Sequence, residues 1–408
     1  MNQSKRVIIL GAGAAGLMAA GSIKNADITV LEKNEKAGKK LYITGKGRCN
    51  VTNDCDREKL LTNIVTNPKF LQSAFSSFGP QDTMRFFEER GVPLKTERGL
   101  RVFPVSDKAS DITNALVKNA AQNGAKILYG KEVVNVYKNS NTGLFCVSCL
   151  CGSEYIADVL IIATGGKSYP LTGSSGDGCK FAKSLGHSIQ PIRPALVPLI
   201  LGQQVKPLEG LSLINVEVSV RQSKKEYKQF GEMIFTADGV SGPCVLSLSS
   251  LLSRDGLYDE AVLKIDLKPA LIKEQLDARI LRDFGVAKNK QLKNALHELL
   301  PKSLISFMIE YAELDGEKSV NSITKAEREK LVQAIKNFVF HIKALGEIEK
   351  GIVTGGGVSV SEINPKTMES KIVSSLYVVG EVLDVDALTG GFNIQIALST
   401  GWVAGQSI

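Results

Sequence analysis

The feature that most constrains the fold of this chain is a glycine-rich turn near its start, Gly11 to Gly16. The apolar run Val7 to Leu10 precedes the turn, a helix-compatible run follows it to about Asn25, and a second apolar run covers Ile28 to Leu31. This order predicts a strand, a turn, a helix and a parallel strand, which is the βαβ unit of a Rossmann-type nucleotide fold. The expected fold class is therefore α/β.

Each glycine of the turn meets a separate steric demand. Gly11 permits the tight turn, Gly13 lets a pyrophosphate approach the backbone, and Gly16 lets the helix pack against the strand. Glu32 ends the second strand about twenty residues later, where its carboxylate can accept hydrogen bonds from a ribose and would repel a 2′-phosphate. Backbone N–H groups at a helix N-terminus favour phosphate. The pattern predicts a dinucleotide site without separating NAD from FAD.

Composition limits the partners and the setting of this chain. Its 408 residues exceed what one core usually supports, so we expect two or three domains. The net charge of +8 favours anionic ligands, but the basic residues are interleaved with acidic ones, which disfavours a nucleic-acid partner. Seven cysteines without a recognisable leader indicate reduced thiols and a cytoplasmic location. No run approaches about 18 apolar residues, so we expect no membrane span.

Several later segments continue the nucleotide domain. Apolar strands are expected at Lys131 to Tyr137, Phe145 to Leu150 and Val159 to Ala163, and one more buried strand lies far along the chain at Leu376 to Glu381. These segments suggest that the same layered domain continues on both sides of a different middle region. We therefore assign residues 1–190 and 341–408 to one nucleotide domain.

The middle region has a different texture and starts at a proline cluster, Pro191, Pro194 and Pro198. Alternating apolar and polar residues at Ile214 to Val220 and Leu263 to Leu267 predict antiparallel strands, so residues 191–268 form a β-rich unit. Residues 269–340 have a helical period. An apolar helix face is followed by Pro301, and a capping box begins a further helix that runs to Phe338. The residues that carry these two helix signals are Leu292, Ala295, Leu296, Leu299 and Leu300 for the face, and Thr324 with Glu327 for the box.

Three further segments separate FAD from NAD. They are Gly38 to Asn53, with its Thr-Gly-Lys-Gly-Arg-Cys-Asn-Val-Thr-Asn string, Ala163 to Gly166 after a buried strand, and Gly380 to Gln395 before a helix that ends near Gly405. Together they resemble the flavoprotein family that includes aminoacetone oxidase and bile-acid dehydro-steroid reductase, a branch of the two-dinucleotide-binding flavoproteins. The resemblance extends over the whole chain and includes Gly231 to Thr236 and Ser241 to Pro243.

The resemblance implies an FAD domain interrupted by a β-barrel and a small helical domain. It places the loop Thr44 to Asn53 along the flavin and pyrophosphate, Val134 at the adenine, and a helix N-terminus at Gly390 to Ile394 beneath the isoalloxazine. Phe392 and Ala387 stand where relatives carry Tyr and Gly. The residues expected to bind FAD are Gly11, Gly13, Ala14, Ala15, Gly16, Glu32, Lys33, Lys40, Thr44, Gly45, Arg48, Cys49, Asn50, Val134, Thr164, Gly165, Gly380, Glu381, Asp384, Gly391, Phe392, Asn393 and Ile394.

Some residues that suggest chemistry have simpler interpretations. Cys49 and Cys55 are separated by five residues rather than the four of a disulfide-reductase pair, so we interpret Cys49 as a packing neighbour of the flavin. On a strand, Cys146 points away from Cys149 and Cys151, which argues against a metal site. We interpret His187 as a capping or surface residue, and Asp386 as an acidic residue of a surface turn.

The sequence predicts an FAD-dependent oxidoreductase that transfers hydride between a small organic substrate, or NAD(P)H, and flavin N5. No second glycine fingerprint provides a separate NAD(P)H domain. Amine oxidation and enone reduction both occur in the family, and the residues do not choose between them. A flavoprotein acting on tRNA and a non-catalytic flavin-binding protein are the alternatives. No catalytic residue and no oligomeric state is assigned.

Overall fold

A computed structural model describes residues 4–222, 224–256 and 261–408. In chain order, the strands are β1 (Lys5–Leu10), β2 (Ala26–Leu31), β3 (Thr52–Asn53), β4 (Leu94–Glu97), β5 (Arg101–Pro104), β6 (Lys126–Leu128), β7 (Val133–Lys138), β8 (Phe145–Cys149), β9 (Glu154–Ala157), β10 (Val159–Ile162), β11 (Ile189–Ala195), β12 (Leu199–Leu201), β13 (Ser212–Gln222), β14 (Lys225–Phe235), β15 (Gly239–Ser241), β16 (Val262–Asp266), β17 (Phe338–Leu345), β18 (Val353–Val358) and β19 (Leu376–Val378).

The α-helices lie between these strands and at the end of the chain, with short 3₁₀ turns in the connections. They are α1 (Ala14–Ala20), α2 (Lys39–Ile43), α3 (Arg57–Thr62), α4 (Gln72–Ser77), α5 (Pro80–Glu88), α6 (Ala109–Gln122), α7 (Asp177–Ser184), α8 (Pro243–Asp255), α9 (Lys273–Val286), α10 (Leu292–Ala295), α11 (Lys302–Tyr311), α12 (Lys325–Lys336) and α13 (Phe392–Gln406).

A parallel sheet with the order β19-β10-β1-β2-β6 is the centre of the first compact unit, which comprises Met1–Ala195 and Ile348–Ile408. Its strand β10, Val159–Ile162, is apolar and buried throughout, because a strand inside a parallel sheet is covered on both faces. The last strand in sequence, β19, pairs with β10, so both ends of the chain contribute to one sheet. The α/β fold class with a Rossmann-type domain is confirmed.

The second compact unit, Leu196–Glu347, contains a closed six-stranded barrel with the order β12-β15-β14-β13-β16-β17 and the helices α8 to α12. The alternating residues of β16 give it one buried and one partly exposed face, as the sequence predicts. β17 follows the helices in sequence and closes the barrel by pairing with β12 and β16. The expected combination of a β-barrel with helices is confirmed.

Several element boundaries differ from the sequence predictions. α1 ends at Ala20 rather than near Asn25. β7 and β8 form a separate antiparallel sheet with β9 instead of extending the parallel sheet, because a hairpin at residues 139–144 turns the chain back at once. Pro301 is the N-cap of α11, after the four-residue helix α10 and a 3₁₀ turn, so the predicted apolar helix face is divided. The capping box at Thr324 does begin α12.

Each unit has its own apolar core, one around the parallel sheet and one around the barrel and its helices. Among residues 4–222, 224–256 and 261–408, no helix has the length and apolar character needed to cross a bilayer.

Candidate functional site

The glycine turn between β1 and α1 combines two crowded positions with one open position. Gly11 has φ +103°, and a Cβ atom built there would lie 2.7 Å from the backbone oxygen of Ala163. A Cβ on Gly16 would lie 2.0 Å from the oxygen of Gly11, whereas a Cβ on Gly13 meets no atom within 4 Å. Gly13 is the N-cap of α1, and no side chain caps this helix. The open backbone at Gly13 leaves room for an anionic group at the helix N-terminus.

α13 packs beside α1 through small residues and runs in the same direction. A Cβ on Gly401 would lie 2.3 Å from the oxygen of Ala15, and one turn later a Cβ on Gly405 would lie 2.7 Å from the oxygen of Ala19. Because α13 begins at Phe392, its N-terminus lies about 14 Å beyond the level of Ala15 at 1.5 Å per residue. The two N-termini therefore point the same way, at separations that an extended dinucleotide can span.

The N-terminus of α13 is also free of a side-chain cap, and a glycine is required there. Gly391 is the N-cap, with φ +98°, and its Cβ would lie 2.4 Å from the oxygen of Thr52. Asn53 donates from Nδ2 to the oxygen of Gly390 at 3.0 Å, and Thr52 donates to Gln395 Oε1 at 2.6 Å. These contacts hold the end of the Thr44 to Asn53 loop against the start of α13.

The Thr44 to Asn53 loop itself is compact. The amide of Cys49 donates to the oxygen of Thr44 at 3.0 Å, and Gly45 has φ +57° with its Cβ position 3.0 Å from the amide nitrogen of Asn50. The guanidinium of Arg48 is turned toward carboxylates, with Nη1 2.8 Å from Glu97 and 3.3 Å from Asp107. The hydrogen bond to Glu97 raises the pKa of Arg48.

Cys49 is fully buried, and burial raises the pKa of its thiol to about 12. Burial also raises the pKa of Cys55. A dithiol mechanism requires a thiolate as the attacking group. The environment of both thiols therefore argues against that alternative and agrees with a packing role for Cys49.

The predicted charged residues Glu32, Lys33 and Lys40 each have a partner within the protein. Glu32 accepts from the amide of Ala12 at 2.8 Å, so its carboxylate faces back toward the turn. Lys40 is 2.8 Å from Glu381. Lys33 lies 2.9 Å from Asp177 at the start of a third helix, α7.

Nine of the 23 predicted residues lie on the N-terminal segments of α1 and α13, and the others lie on neighbouring loops, strands and helices. Gly380 faces Ala15, with its Cβ position 2.8 Å from the Ala15 Cβ. Val134 is half exposed on β7, in the separate antiparallel sheet. Asn393 uses its amide to hold Ala387, accepting from its nitrogen and donating to its oxygen at 2.9 Å each. The residues on the α1 and α13 N-terminal segments are Gly11, Gly13, Ala14, Ala15, Gly16, Gly391, Phe392, Asn393 and Ile394.

Buried polar atoms without partners mark the same region. Among the described residues, Asn50 Oδ1, Asn53 Oδ1 and Thr164 Oγ1 are shielded from solvent and have no hydrogen-bond partner. Thr164 precedes Gly165, which has φ +76°. Buried polar atoms are normally hydrogen-bonded. Their clustering in predicted FAD-binding segments, together with the open position at Gly13, fits a site completed by a polar ligand such as FAD.

A small cavity of about 130 Å³ adjoins this region. Glu381, Gly166 and Thr354 line it, and the exposed Lys167 stands at its edge. A Cβ on Gly166 would lie 2.4 Å from Thr354 Oγ1, so glycine is needed for this wall of the cavity to form.

Asp386 is not in a surface turn, which corrects the sequence interpretation. Its side chain is 1% exposed, and Oδ1 lies 2.8 Å from Arg193 Nη2. Arg193 was not predicted as a site residue. Its one sequence signal is a charged residue within a strand segment that has prolines on both sides. Asp384 accepts from Asn67 Nδ2 at 3.0 Å, and burial raises the pKa of Asp384. Folding thus brings β11, the Asn67 turn and the segment before α13 together.

His187 is also buried rather than a surface residue. Its side chain has no exposed area, and Nδ1 lies 2.9 Å from Glu362 Oε2. Burial lowers the pKa of His187. All seven cysteines are unpaired, and the described part of the chain contains no group of three or more residues able to hold a metal ion.

The fold is that of a Rossmann-type flavoprotein. The chain belongs to the HI0933-like Rossmann family, whose family model matches residues 5–407. The resemblance read from the sequence motifs is therefore confirmed.

Two curated relatives match the chain over almost its whole length. It is 31% identical to the 3-dehydro-bile acid delta(4,6)-reductase of Clostridium scindens, over 98% of each chain. It is 33% identical to the ribosomal RNA dihydrouridine synthase of Haemophilus influenzae, over 100% of this chain and 99% of the relative. A solved 3-ketosteroid-delta4-(5alpha)-dehydrogenase from Rhodococcus jostii RHA1 is similar in fold, with a TM-score of 0.53, 13% identity, and coverage of 100% of this chain and 97% of that one.

Proposed function

We propose that this protein is an FAD-dependent reductase that adds hydride to a carbon–carbon double bond conjugated to a carbonyl group. The names of the two relatives describe different substrates, a 3-oxo bile acid and a uridine in RNA, but the same bond change. In both cases a C=C bond next to a C=O group becomes saturated. This common bond change is the observation that carries the proposal.

The residues of the site support FAD as the cofactor. In the proposal, the backbone at Gly13 binds the pyrophosphate, and the uncapped N-terminus of α13 at Gly391 stabilises negative charge on the flavin. Asn50, Asn53 and Thr164 would bind the remaining polar groups, since their buried atoms have no partner among the described residues. When bound and reduced by an electron donor, FAD would supply a hydride from N5. We propose NADH or NADPH as the electron donor.

A second candidate substrate is uridine within RNA, and the name of the Haemophilus influenzae relative favours it over a free small molecule. The net charge of +8 suits an anionic polymer, whereas the interleaving of basic with acidic residues does not. Amine oxidation is the other reaction type that the sequence leaves open, and it differs in the direction of hydride transfer.

Anaerobic spectroscopy of the purified protein separates these reactions. The flavin spectrum is followed first with NADH, NADPH and a panel of primary amines, and then with 2-cyclohexen-1-one or with ribosomal RNA added to the reduced protein. We expect a nicotinamide to reduce the flavin and an enone or the RNA to reoxidise it. Reduction by an amine, with no reoxidation by either acceptor, would replace the proposal with an oxidase.

A further inference from the structure

A buried ion pair lies on the segment that leads into α13. Arg193, on β11, donates from Nη2 to Asp386 Oδ1 at 2.8 Å and to Thr66 Oγ1 at 2.6 Å. The Arg193 side chain is 17% exposed. Asp386 is followed by Ala387, whose backbone is held by Asn393 in the first turn of α13. The guanidinium is therefore fixed relative to the helix N-terminus that is proposed to face the flavin.

The second terminal nitrogen of this guanidinium has no partner. Arg193 Nη1 is shielded from solvent and meets no acceptor in the described part of the chain. Asp386 Oδ2 is also shielded from solvent, and no donor reaches it among the described residues. Arginine has five N–H donors and cannot act as an acceptor, and an unpaired buried donor is costly. An oxygen atom from outside the protein is the kind of group that satisfies Nη1.

Glycine at position 355 leaves the space that the guanidinium of Arg193 occupies. A Cβ on Gly355 would lie 2.2 Å from Arg193 Nη1, so any other residue there would displace the side chain. Gly355 and its neighbours Gly356 and Gly357 do not form a nucleotide fingerprint. Their role is to let β18 pack closely, since a Cβ on Gly356 would lie 2.1 Å from the oxygen of Pro191 on β11.

The acidic side chains that the structure describes near Arg193 leave its Nη1 without a partner. Asp384 is two residues from Asp386, and its carboxyl is held by Asn67. Burial raises the pKa of Asp384, so this acid retains its proton to a higher pH than an ordinary aspartate. Asp386 engages only one of the two terminal nitrogens of Arg193.

Conjugate reduction creates the need for such a donor. Hydride adds to the β-carbon and forms a C–H bond, the π electrons of the C=C bond shift, and the carbonyl becomes an enolate with negative charge on its oxygen. A proton from solvent water then adds to the α-carbon and restores the C=O bond. A fixed N–H donor at the oxygen stabilises the charge that develops in the transition state.

We propose that Arg193 is the residue that binds the carbonyl oxygen of the substrate, through Nη1, and that Asp386 and Thr66 hold it in place for this role. This inference rests on the proposed function, because it requires a substrate that contains a conjugated carbonyl group.

The test uses the full-length protein loaded with FAD. Arg193→Met removes the N–H donors, and Arg193→Lys keeps the positive charge but replaces the two terminal nitrogens of the guanidinium with one ammonium group. The control is Arg328→Met, which breaks another arginine–aspartate pair, Arg328 with Asp277 at 3.2 Å, in the other compact unit. The first readout is the dissociation constant of 4-hydroxybenzaldehyde as its phenolate, titrated by the absorbance of the oxidised flavin. The second is the rate at which 2-cyclohexen-1-one reoxidises flavin reduced with dithionite.

We expect Arg193→Met to weaken phenolate binding and slow reoxidation by the enone by about 10- to 100-fold each, the range for a hydrogen bond to a charged group. The phenolate affinity and the reoxidation rate of Arg193→Lys should lie between those of Arg193→Met and the wild type. FAD content, and reoxidation by dioxygen, should stay within about twofold, and Arg328→Met should behave as the wild type. If Arg193→Met does not fold, Asp386→Asn, which loosens the anchor, is expected to give a smaller loss of the same kind.

Equal phenolate affinity in Arg193→Met and the wild type would overturn the inference, as would the absence of phenolate binding by the wild type. The same loss in Arg328→Met would also overturn it, because the effect would then be general destabilisation. Failure of the proposed function is a separate outcome: no enone would reoxidise the wild-type flavin, although the phenolate titration would still report on Arg193.

Discussion

At the scale of single residues, the three glycines of the first turn are not equivalent. A Cβ on Gly16 collides with the backbone oxygen of Gly11, whereas a Cβ on Gly13 meets empty space. Gly16 is therefore required for the protein to fold without a ligand, whereas glycine at position 13 is required for the ligand to bind. A sequence fingerprint cannot separate these two causes, because both give glycine.

This difference predicts opposite phenotypes for two similar substitutions. Gly16→Ala should lower the free energy of unfolding of the apoprotein by at least about 2 kcal/mol, since the backbone must move. Gly13→Ala should cost about 1 kcal/mol or less, as an N-cap change, but should weaken FAD binding at least about tenfold. Urea denaturation of the apoprotein and a fluorescence titration with FAD measure the two effects. Normal FAD affinity in Gly13→Ala would contradict the assignment of the open position.

His187 predicts a pH dependence of stability. Because burial lowers its pKa in the folded state, the unfolded chain binds the proton more readily, and stability is lost as pH falls through about 6.5 toward the folded pKa. Between pH 7 and 5.5, His187→Gln should reduce the slope of unfolding free energy against pH, by up to about 1.4 kcal/mol per pH unit. The exposed His297 supplies the control, His297→Gln. An unchanged slope in His187→Gln would refute the prediction.

At the scale of elements, the close packing of α1 and α13 sets where the two N-termini lie. Ala15 and Ala19 on α1 meet Gly401 and Gly405 on α13, and the hydrogen-bonded Gln395 network joins α13 to Thr52 and Thr83. Any side chain at these glycines would push the helices apart. The separation of the N-termini along the cofactor site therefore depends in part on Ala19, Gly401 and Gly405, which are not among the residues expected to bind FAD.

A Gly→Ala substitution inside a helix normally raises the free energy of unfolding. Where α1 and α13 pack closely, we expect the same substitution to lower it. Gly401→Ala should lower the free energy of unfolding by about 1–3 kcal/mol, because its Cβ would lie 2.3 Å from the oxygen of Ala15. Gly285→Ala, in α9, meets no atom within 4 Å and should gain a few tenths to about 1 kcal/mol. Chemical denaturation of both variants gives the comparison. Stabilisation by Gly401→Ala would show that the helices separate without cost.

The elements show what the sequence alone could predict. Local signals located β1, β2 and the capping box at Thr324, because apolar period and cap residues act over a few neighbours. They did not show that β7 and β8 form their own sheet, since pairing is decided by distant partners. They also failed for Asp386, whose burial depends on Arg193, a residue 193 positions away in sequence. Long-range side-chain pairs leave no periodic signal.

At the scale of the whole molecule, the first compact unit joins the two ends of the chain. β19 completes the parallel sheet next to β10, and α13 lies against α1, so the glycine turn and the second glycine-capped helix meet only after the last residues fold. The barrel unit lies between them in sequence. The candidate site within the first unit therefore requires an intact C-terminal segment, and FAD binding reports on the folding of the entire unit.

The most direct test of the central claim is stoichiometric. The purified protein is loaded with FAD, reduced with one equivalent of dithionite without oxygen, and mixed with 2-cyclohexen-1-one or with saturated cyclohexanone. We expect the enone to restore the oxidised flavin spectrum and to yield one cyclohexanone per flavin, whereas cyclohexanone should leave the flavin reduced. A protein that takes up no FAD, or whose reduced flavin persists with both the enone and uridine-containing RNA, would contradict it.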